Sequence, residues 1–361
     1  MTTHEDSLTK PDPAAAQRPL LDLIRQEITD AGGWLGFDRF MALALYAPGL
    51  GYYAHGSRKF GHLPESGSDF VTAPELSPLF AKALVAQIAQ ALAVTGTQTL
   101  WEFGAGSGAL AAGLLEALGD QVQQYTIVDL SGSLRARQQE KLKPWLDKVR
   151  WVQELPTEMR GVVVGNEVLD AMPVSLLQRT AGVWHERGVG WKDDAFVWQD
   201  RPTECRPPVD IPGEHDYLTE IHPHADAFVR TLADRLVQGA AFLLDYGFPE
   251  SEYYHPQRHM GTLMCHQAHQ ADGDPLVAVG DKDITAHVNF SGVALAAQDA
   301  GLNVLGYTTQ ARFLLNCGMA ALLAQADFAA RVNAQKLWME HEMGELFKVI
   351  ALGVGDAWEP M

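Results

Sequence analysis

The sequence predicts an α/β fold, a doubly wound and mostly parallel sheet with helices on both faces. Three observations carry this expectation. From residue 99 onward, short β-branched or aromatic runs alternate with helical stretches. The first of these strands leads straight into a glycine-rich turn that opens a helix, Glu102-Phe103-Gly104-Ala105-Gly106-Ser107-Gly108-Ala109. The next strand ends on an acid, Asp129, 21 residues beyond Gly108.

Taken in order, Leu20, Leu21, Leu23, Ile24 and Ile28 form one apolar stripe, so a helix is expected from residue 20 until Gly32 and Gly33 stop it. A second helix covers 37–45 and ends before Pro48. A Gly- and Tyr-rich loop containing Gly49, Gly51, Tyr52 and Tyr53 then runs on to Thr72-Ala73-Pro74-Glu75. Pro74 suits a first helical turn, and the Ala/Leu run to residue 92 continues that helix. Strands are expected at 99–103, 125–128, 149–152, 162–164, 241–244 and 346–352, and helices at 109–118, 134–142 and 225–236. Residues 184–212 and 249–283 interrupt the alternation. Both are rich in Pro, Gly, His and aromatics, and both read as insertions over the site. The resulting organisation is a disordered tail at 1–18, a helical and loop cap at 19–97, and a main domain at 98–361 that carries the two insertions.

A hydrophobic share of 47% with 20% charged residues over 361 positions is a globular composition. Lys+Arg 27 against Asp+Glu 45 leaves a net charge of −18, which opposes a phosphate backbone, and no basic patch offsets it. No nucleic-acid partner is therefore expected. Cys205, Cys265 and Cys317 are too few and too scattered for a disulfide framework and suit a reducing compartment. No run reads as a membrane span, and the first residues lack signal- or transit-peptide features. The expectation is a cytoplasmic protein without membrane insertion.

The glycine turn is the strongest chemical signal. Glycines let the backbone turn sharply and approach a ligand, while the helix N-terminus presents its N–H groups. Asp129, at the next strand end, can accept both ribose hydroxyls of an adenosine-containing cofactor. Gly104, Gly106 and Ala109 also satisfy the alanine variant of the nicotinamide fingerprint, so the turn alone leaves the cofactor open. Glu102 favours a cationic cofactor such as S-adenosylmethionine, because a carboxylate repels a pyrophosphate.

The run Asn166-Glu167-Val168-Leu169-Asp170-Ala171-Met172-Pro173 places an amide and two acids just past the strand at 162–164, at the sheet edge where ligands sit. For a guanidinium acceptor, carboxylates are the natural partners, and Glu167 and Asp170 fit that role. Asp170 equally suits a cap of the turn before Pro173. The Asn/Asp-Pro-Pro-aromatic pattern of enzymes that methylate base amines is absent.

These motifs resemble the MidA-like family of class I S-adenosylmethionine-dependent methyltransferases. Besides the segments above, the likeness rests on Gly51-Tyr52-Tyr53, Asp69 to Glu75, Asp245-Tyr246-Gly247, Gly261-Thr262-Leu263, Asp283 to Phe290 and Met343 to Val349. It implies a Rossmann-like, seven-stranded sheet with an added helical and irregular N-terminal layer. S-adenosylmethionine would be the cofactor and S-adenosylhomocysteine the product. The resemblance places Thr72 and Pro74 on the amino-terminal side of the cofactor pocket. Gly104, Gly106 and Gly108 form its floor, and Asp129 with Leu130 lies at the ribose. Glu154 or Leu155 lies near the adenine, and Asn166 and Glu167 flank the methionine moiety. It further implies a client protein as partner, methylated on arginine. A respiratory-chain subunit is included among the clients, because the family includes a mitochondrial enzyme needed for complex I assembly. A homodimer is left open.

Asp283 and His287 would share a face if their segment were helical, and His287 could then relay the acceptor's proton. Tyr52, Tyr53 and Tyr246 could stabilise a sulfonium through their rings. The His255-to-His269 segment lacks metal-ligand spacing, so no metal is assigned. Two alternatives stay open at this point: a nicotinamide-dependent oxidoreductase, and a non-catalytic assembly factor with the same fold.

Overall fold

Seven strands build the central sheet: β1 (Thr99–Phe103), β2 (Gln124–Val128), β3 (Val149–Val152), β4 (Met159–Asn166), β5 (Leu236–Phe248), β6 (Asn303–Thr309) and β7 (Phe347–Gly353). This computed structural model describes residues 13–54, 72–129, 132–356 and 358–360. The strand order is β6-β7-β5-β4-β1-β2-β3. Strands β1 to β5 pair in parallel, and β7 runs antiparallel to both β5 and β6. A two-residue strand, Val288–Asn289, extends the pairing of β5. Chain order reverses between β1 and β4, so the carboxyl ends of these strands open a crevice there.

Side chains alternate across the strands, and the sheet is buried on both faces. Leu100, Val162, Val164 and Phe242 meet the helices Pro78–Thr95 and Ala109–Leu118 on one face. Trp101, Val163, Ala241 and Leu243 meet Pro223–Arg235 and Phe290–Asp299 on the other. The helix Pro78–Thr95 is long and apolar enough to cross a bilayer, contrary to the expectation that no run qualifies. Its apolar side, with Leu79, Phe80, Leu84 and Ile88, instead closes the main core. The Ser77 hydroxyl caps it by accepting from the Leu79 N–H at 3.3 Å, and Gly96 ends it at φ 63°. Residues 78–95 therefore belong to the main core and not to a separate cap.

The first helix starts at Pro13 and not at residue 20. Proline is favoured in a first turn, and the alanines after it propagate the helix into the stretch assigned to a tail. Residues 184–212 are also more regular than expected. Val183–Lys192 and Ala195–Pro202 join Leu35–Gly36, Ser175–Thr180 and Tyr217–Ile221 in a five-stranded sheet, antiparallel throughout. Its inner face packs Leu176, Val189 and Phe196 against the N-terminal helices through Ile24, Phe37 and Phe40. A third sheet joins Met264–Gln267, Gln270–Asp272 and Asp283–Thr285.

Gly161 on β4 and Gly239 on β5 face each other in register. Both have positive φ, 132° and 142°, and a Cβ on Gly239 would overlap the Gly161 carbonyl. Gly239→Ala is expected to destabilise the fold by ~2–4 kcal/mol, because strain and overlap act together at a buried site. Thermal unfolding checks this, and a melting temperature equal to the parent's would contradict it.

Candidate functional site

At the reversal point lies a cavity of about 970 Å³. One end is built by the glycine turn. Gly104, Gly106 and Gly108 have φ of 63°, 51° and 83°, a region that side chains with a Cβ rarely adopt. A Cβ on Gly104 would also press on Val168 Cγ2 at 3.2 Å. Thr72, Pro74, Gly104, Gly106, Asp129, Gln153 and Glu154 line this end. Gly108 caps the helix behind the turn and does not reach the cavity.

A residue that the sequence left unmarked holds this end together. The Gln138 amide donates to the Gly106 carbonyl and to Asp129 Oδ2, both at 2.9 Å. Its oxygen accepts the Trp151 indole N–H at 2.8 Å. Gln138 is fully buried and connects the floor of the turn to Asp129. Glu75 likewise accepts from the Ser107 hydroxyl, and Lys141 donates to that hydroxyl at 3.1 Å.

Glu102 lies beneath the turn. It is 3% exposed, accepts from the Tyr125 hydroxyl at 2.7 Å, and lines the cavity. Burial raises its pKa to about 7, the Tyr125 hydrogen bond opposes that rise, and Asp129 adds to it. A cation at the cavity centre would return Glu102 to its ionised form.

The other end carries acids as well. Glu167 leaves β4 with φ 55°, an uncommon conformation for a residue with a side chain, and its N–H donates to the Leu244 carbonyl at 2.9 Å. Its Oε1 accepts from Asn166 Nδ2 at 3.0 Å and the Ala73 N–H at 3.4 Å. Burial first and the Asp170 charge second raise its pKa to about 8. Burial raises Asp170 to about 6, while the Tyr246 hydrogen bond opposes this. Asp245 fixes the segment by accepting from the N–H groups of Val168, Leu169 and Asp170 at 3.1, 2.8 and 3.2 Å. Asp283, which also lines the cavity, accepts from the Tyr53 hydroxyl at 2.8 Å.

Several expected positions differ. The segment around Asp283 is extended and not helical, so Asp283 lines the cavity while His287 does not. His287 packs between Tyr246 and Phe248, with ring centroids 5.2 Å from each, and burial lowers its pKa to about 4. It stays neutral there and has no route to an acceptor proton. Leu155 turns away onto a separate shallow pocket with Trp101 and Arg150 and packs against the core. Among the tyrosines, Tyr52 is buried in the N-terminal core and Tyr246 lies behind Asp170, so only Tyr53 of the three lines the cavity. Leu130 and the motif residues 69–71 lie outside the described residues. Of the described residues in the 184–212 and 249–283 stretches, only Asp283 lines the cavity. Strand pairing commits Val183–Lys192, Ala195–Pro202, Met264–Gln267 and Gln270–Asp272 elsewhere.

The lining comprises Glu75, Glu102, Asp129, Glu154, Glu167, Asp170 and Asp283, and no lysine or arginine among the described residues. Such a wall repels a dinucleotide pyrophosphate and accommodates a cation. The buried Asn166 Oδ1 and Asp170 Oδ1 have no hydrogen-bond partner among the described residues, which leaves two acceptors for ligand donors. Fold and site together define an adenosine-cofactor enzyme that handles positive charge.

Comparison with known proteins makes this specific. Residues 80–308 match the Methyltransf_28 family of S-adenosyl-L-methionine-dependent methyltransferases, and the chain belongs to that family. A protein from Burkholderia thailandensis, crystallised with S-adenosyl-homocysteine, is 52% identical with a TM-score of 0.92, covering 97% of this chain and 96% of that one. A native structure from the same organism is 50% identical with a TM-score of 0.87 over the same shares of the two chains. The mitochondrial protein arginine methyltransferase NDUFAF7 of Danio rerio is 28% identical across 89% of this chain and 84% of its own. That of Mus musculus is also 28% identical, across 92% and 84%. The cofactor is S-adenosylmethionine, and the nicotinamide alternative is set aside.

Gln138→Met keeps the side-chain volume but removes all three hydrogen bonds. It is expected to weaken S-adenosylhomocysteine binding about tenfold by calorimetric titration. Unchanged affinity would show that Asp129 and the turn hold their positions without it.

Proposed function

We propose that this methyltransferase modifies a protein nitrogen, with the arginine guanidinium as acceptor. The observation that carries this reading is the pair of half-buried Glu167 and buried Asp170 at the end of a cavity lined by acids and devoid of lysine and arginine among the described residues. The names of the curated relatives support arginine in a protein. A respiratory-chain subunit is the first client to assay.

S-adenosylmethionine supplies a methyl group made electrophilic by the adjoining sulfonium. The chain supplies alignment and charge. Glu167 and Asp170 present carboxylate oxygens to a planar, bidentate donor and localise its charge on one side. The acceptor nitrogen loses one proton as it becomes methylated. Glu167, poised at about 8, is matched to receive it. The wall built from Glu167 to Pro173 keeps a single orientation because Asp245 and Tyr46 tie its backbone. The Tyr46 hydroxyl donates to the Ala171 carbonyl at 2.8 Å.

Incubation with isotopically labelled cofactor and a candidate client, followed by residue-level mass spectrometry, tests the reading. The expected product carries the labelled methyl group on an arginine nitrogen, one labelled methyl replacing one N–H hydrogen per transfer. Label on an oxygen or a carbon would overturn it. Glu167→Gln should reduce transfer by ~100-fold or more while leaving S-adenosylhomocysteine affinity within ~3-fold. The ionised carboxylate is the productive form, and an acid with a raised pKa is protonated below that pKa. The parent's kcat/KM should therefore rise with pH through about 8, and this limb should vanish in Glu167→Gln.

A further inference from the structure

We propose that Asn166 is a positioning residue for methyl transfer: its amide, with the Ala73 N–H, holds one oxygen of Glu167 so that the other is presented to the acceptor nitrogen. The proposal rests on the reading of Glu167 given above and adds what fixes that carboxylate.

Asn166 closes β4, where it pairs with Leu244 on β5. Phe103 pairs with Gly165 one step earlier, so Asn166 follows beside the start of the glycine turn. A side chain at the end of a paired strand is well placed to hold a neighbour. Its Nδ2 donates to Glu167 Oε1 at 3.0 Å, and the Ala73 N–H donates to the same oxygen at 3.4 Å. The amide has one favourable orientation while Glu167 is ionised. Turned over, it would set its own Oδ1 against a carboxylate oxygen.

Glu167 Oε2 accepts no hydrogen bond from the described residues, and it is not fully buried. Glu167 is half-buried and lines the cavity, so Oε2 is the oxygen that a ligand can reach. Asp170 repeats the division. Tyr246 hydrogen-bonds its side chain, while the buried Oδ1 has no partner among the described residues. Each acid thus has one oxygen occupied by the chain and one left for a donor. The charged groups that act on Glu167 are Asp170 on its own segment, Asp245 on β5 and Asp283 on the strand Asp283–Thr285. All three are acids and oppose its ionised form. Asn166 and Ala73 supply the hydrogen bonds that favour it.

The test uses the full chain and two variants. Asn166→Leu keeps the branching but has no donor, and Asn166→Asp keeps the shape but replaces the donor with an acid. Carboxyl NMR with ¹³C-labelled glutamate follows Glu167, assigned by its loss in Glu167→Gln. Its midpoint is expected to rise by about one unit in Asn166→Leu, because a donor that stabilises the ionised form is gone. Asn166→Asp should raise it at least as far, and it decides the matter if Asn166→Leu does not fold. Calorimetry then titrates N-acetylarginine amide and the neutral isostere N-acetylcitrulline amide onto parent and Asn166→Leu, each saturated with S-adenosylhomocysteine. Asn166→Leu should lose about fivefold of the parent's preference for arginine, with S-adenosylhomocysteine affinity within about threefold of the parent's.

A Glu167 midpoint equal to the parent's in the folded variants would overturn the proposal. So would a loss of S-adenosylhomocysteine affinity of about tenfold at an unchanged midpoint, which would make Asn166 a cofactor contact instead. A raised midpoint with the arginine preference intact would overturn the presentation of the second oxygen. A parent that does not favour arginine over citrulline would overturn the arginine reading alone, and a raised midpoint would still support the hold on Glu167.

Discussion

Carboxylates held out of water, with no lysine or arginine in the described cavity lining to answer them, are the constraint on which the rest of this structure depends. A paired acid usually sits below its ordinary pKa because a lysine or arginine stabilises it. Here Glu102, Glu167 and Asp170 sit above theirs, at about 7, 8 and 6, with burial the largest cause in each case. Such groups favour the protonated form in the folded chain. Their stabilising effect is present at low pH and is lost as pH rises from the unfolded values toward these higher ones. A protein that keeps this arrangement near neutrality gives up stability at its site, and a cationic ligand restores it.

The surrounding architecture holds that arrangement in place. The crevice exists because strand order reverses between β1 and β4. Glu167 enters it through a backbone conformation that β4 cannot continue, and Asp245, at the end of β5, gathers three consecutive N–H groups to fix the segment. At the other end, Gln138 does for the glycine turn what Asp245 does for the acid segment. In both cases a buried, fully hydrogen-bonded side chain from a neighbouring element sets the position of a ligand-facing group. The Burkholderia thailandensis structure with S-adenosyl-homocysteine shares this fold at 52% identity, so the same sheet edge accommodates the cofactor's product in a similar chain.

Much of this was legible in the sequence wherever the signal was local. The turn Gly104 to Gly108, the strand before it and Asp129 after it lie within one βαβ unit, and strand–helix alternation gave six of the seven central strands. The edge strand Asn303–Thr309 escaped because none of its positions is fully buried. The five-stranded antiparallel sheet escaped because Val183–Lys192 has no clean alternation: its inner face is supplied by helices some 150 residues earlier. Gln138 carries no local mark of function, since its three hydrogen-bond partners sit on other elements. His287 was placed near the acceptor by helical spacing, and the extended backbone removed it.

The most direct test is carboxyl NMR of the protein labelled with ¹³C in glutamate, titrated free and then saturated with S-adenosylmethionine alone. The account predicts that the Glu167 resonance titrates near 8 in the free protein and falls by at least ~1 unit when the sulfonium cation is bound. A Glu167 that titrates near the ordinary 4.5 in the free protein, or does not move on loading, would contradict it.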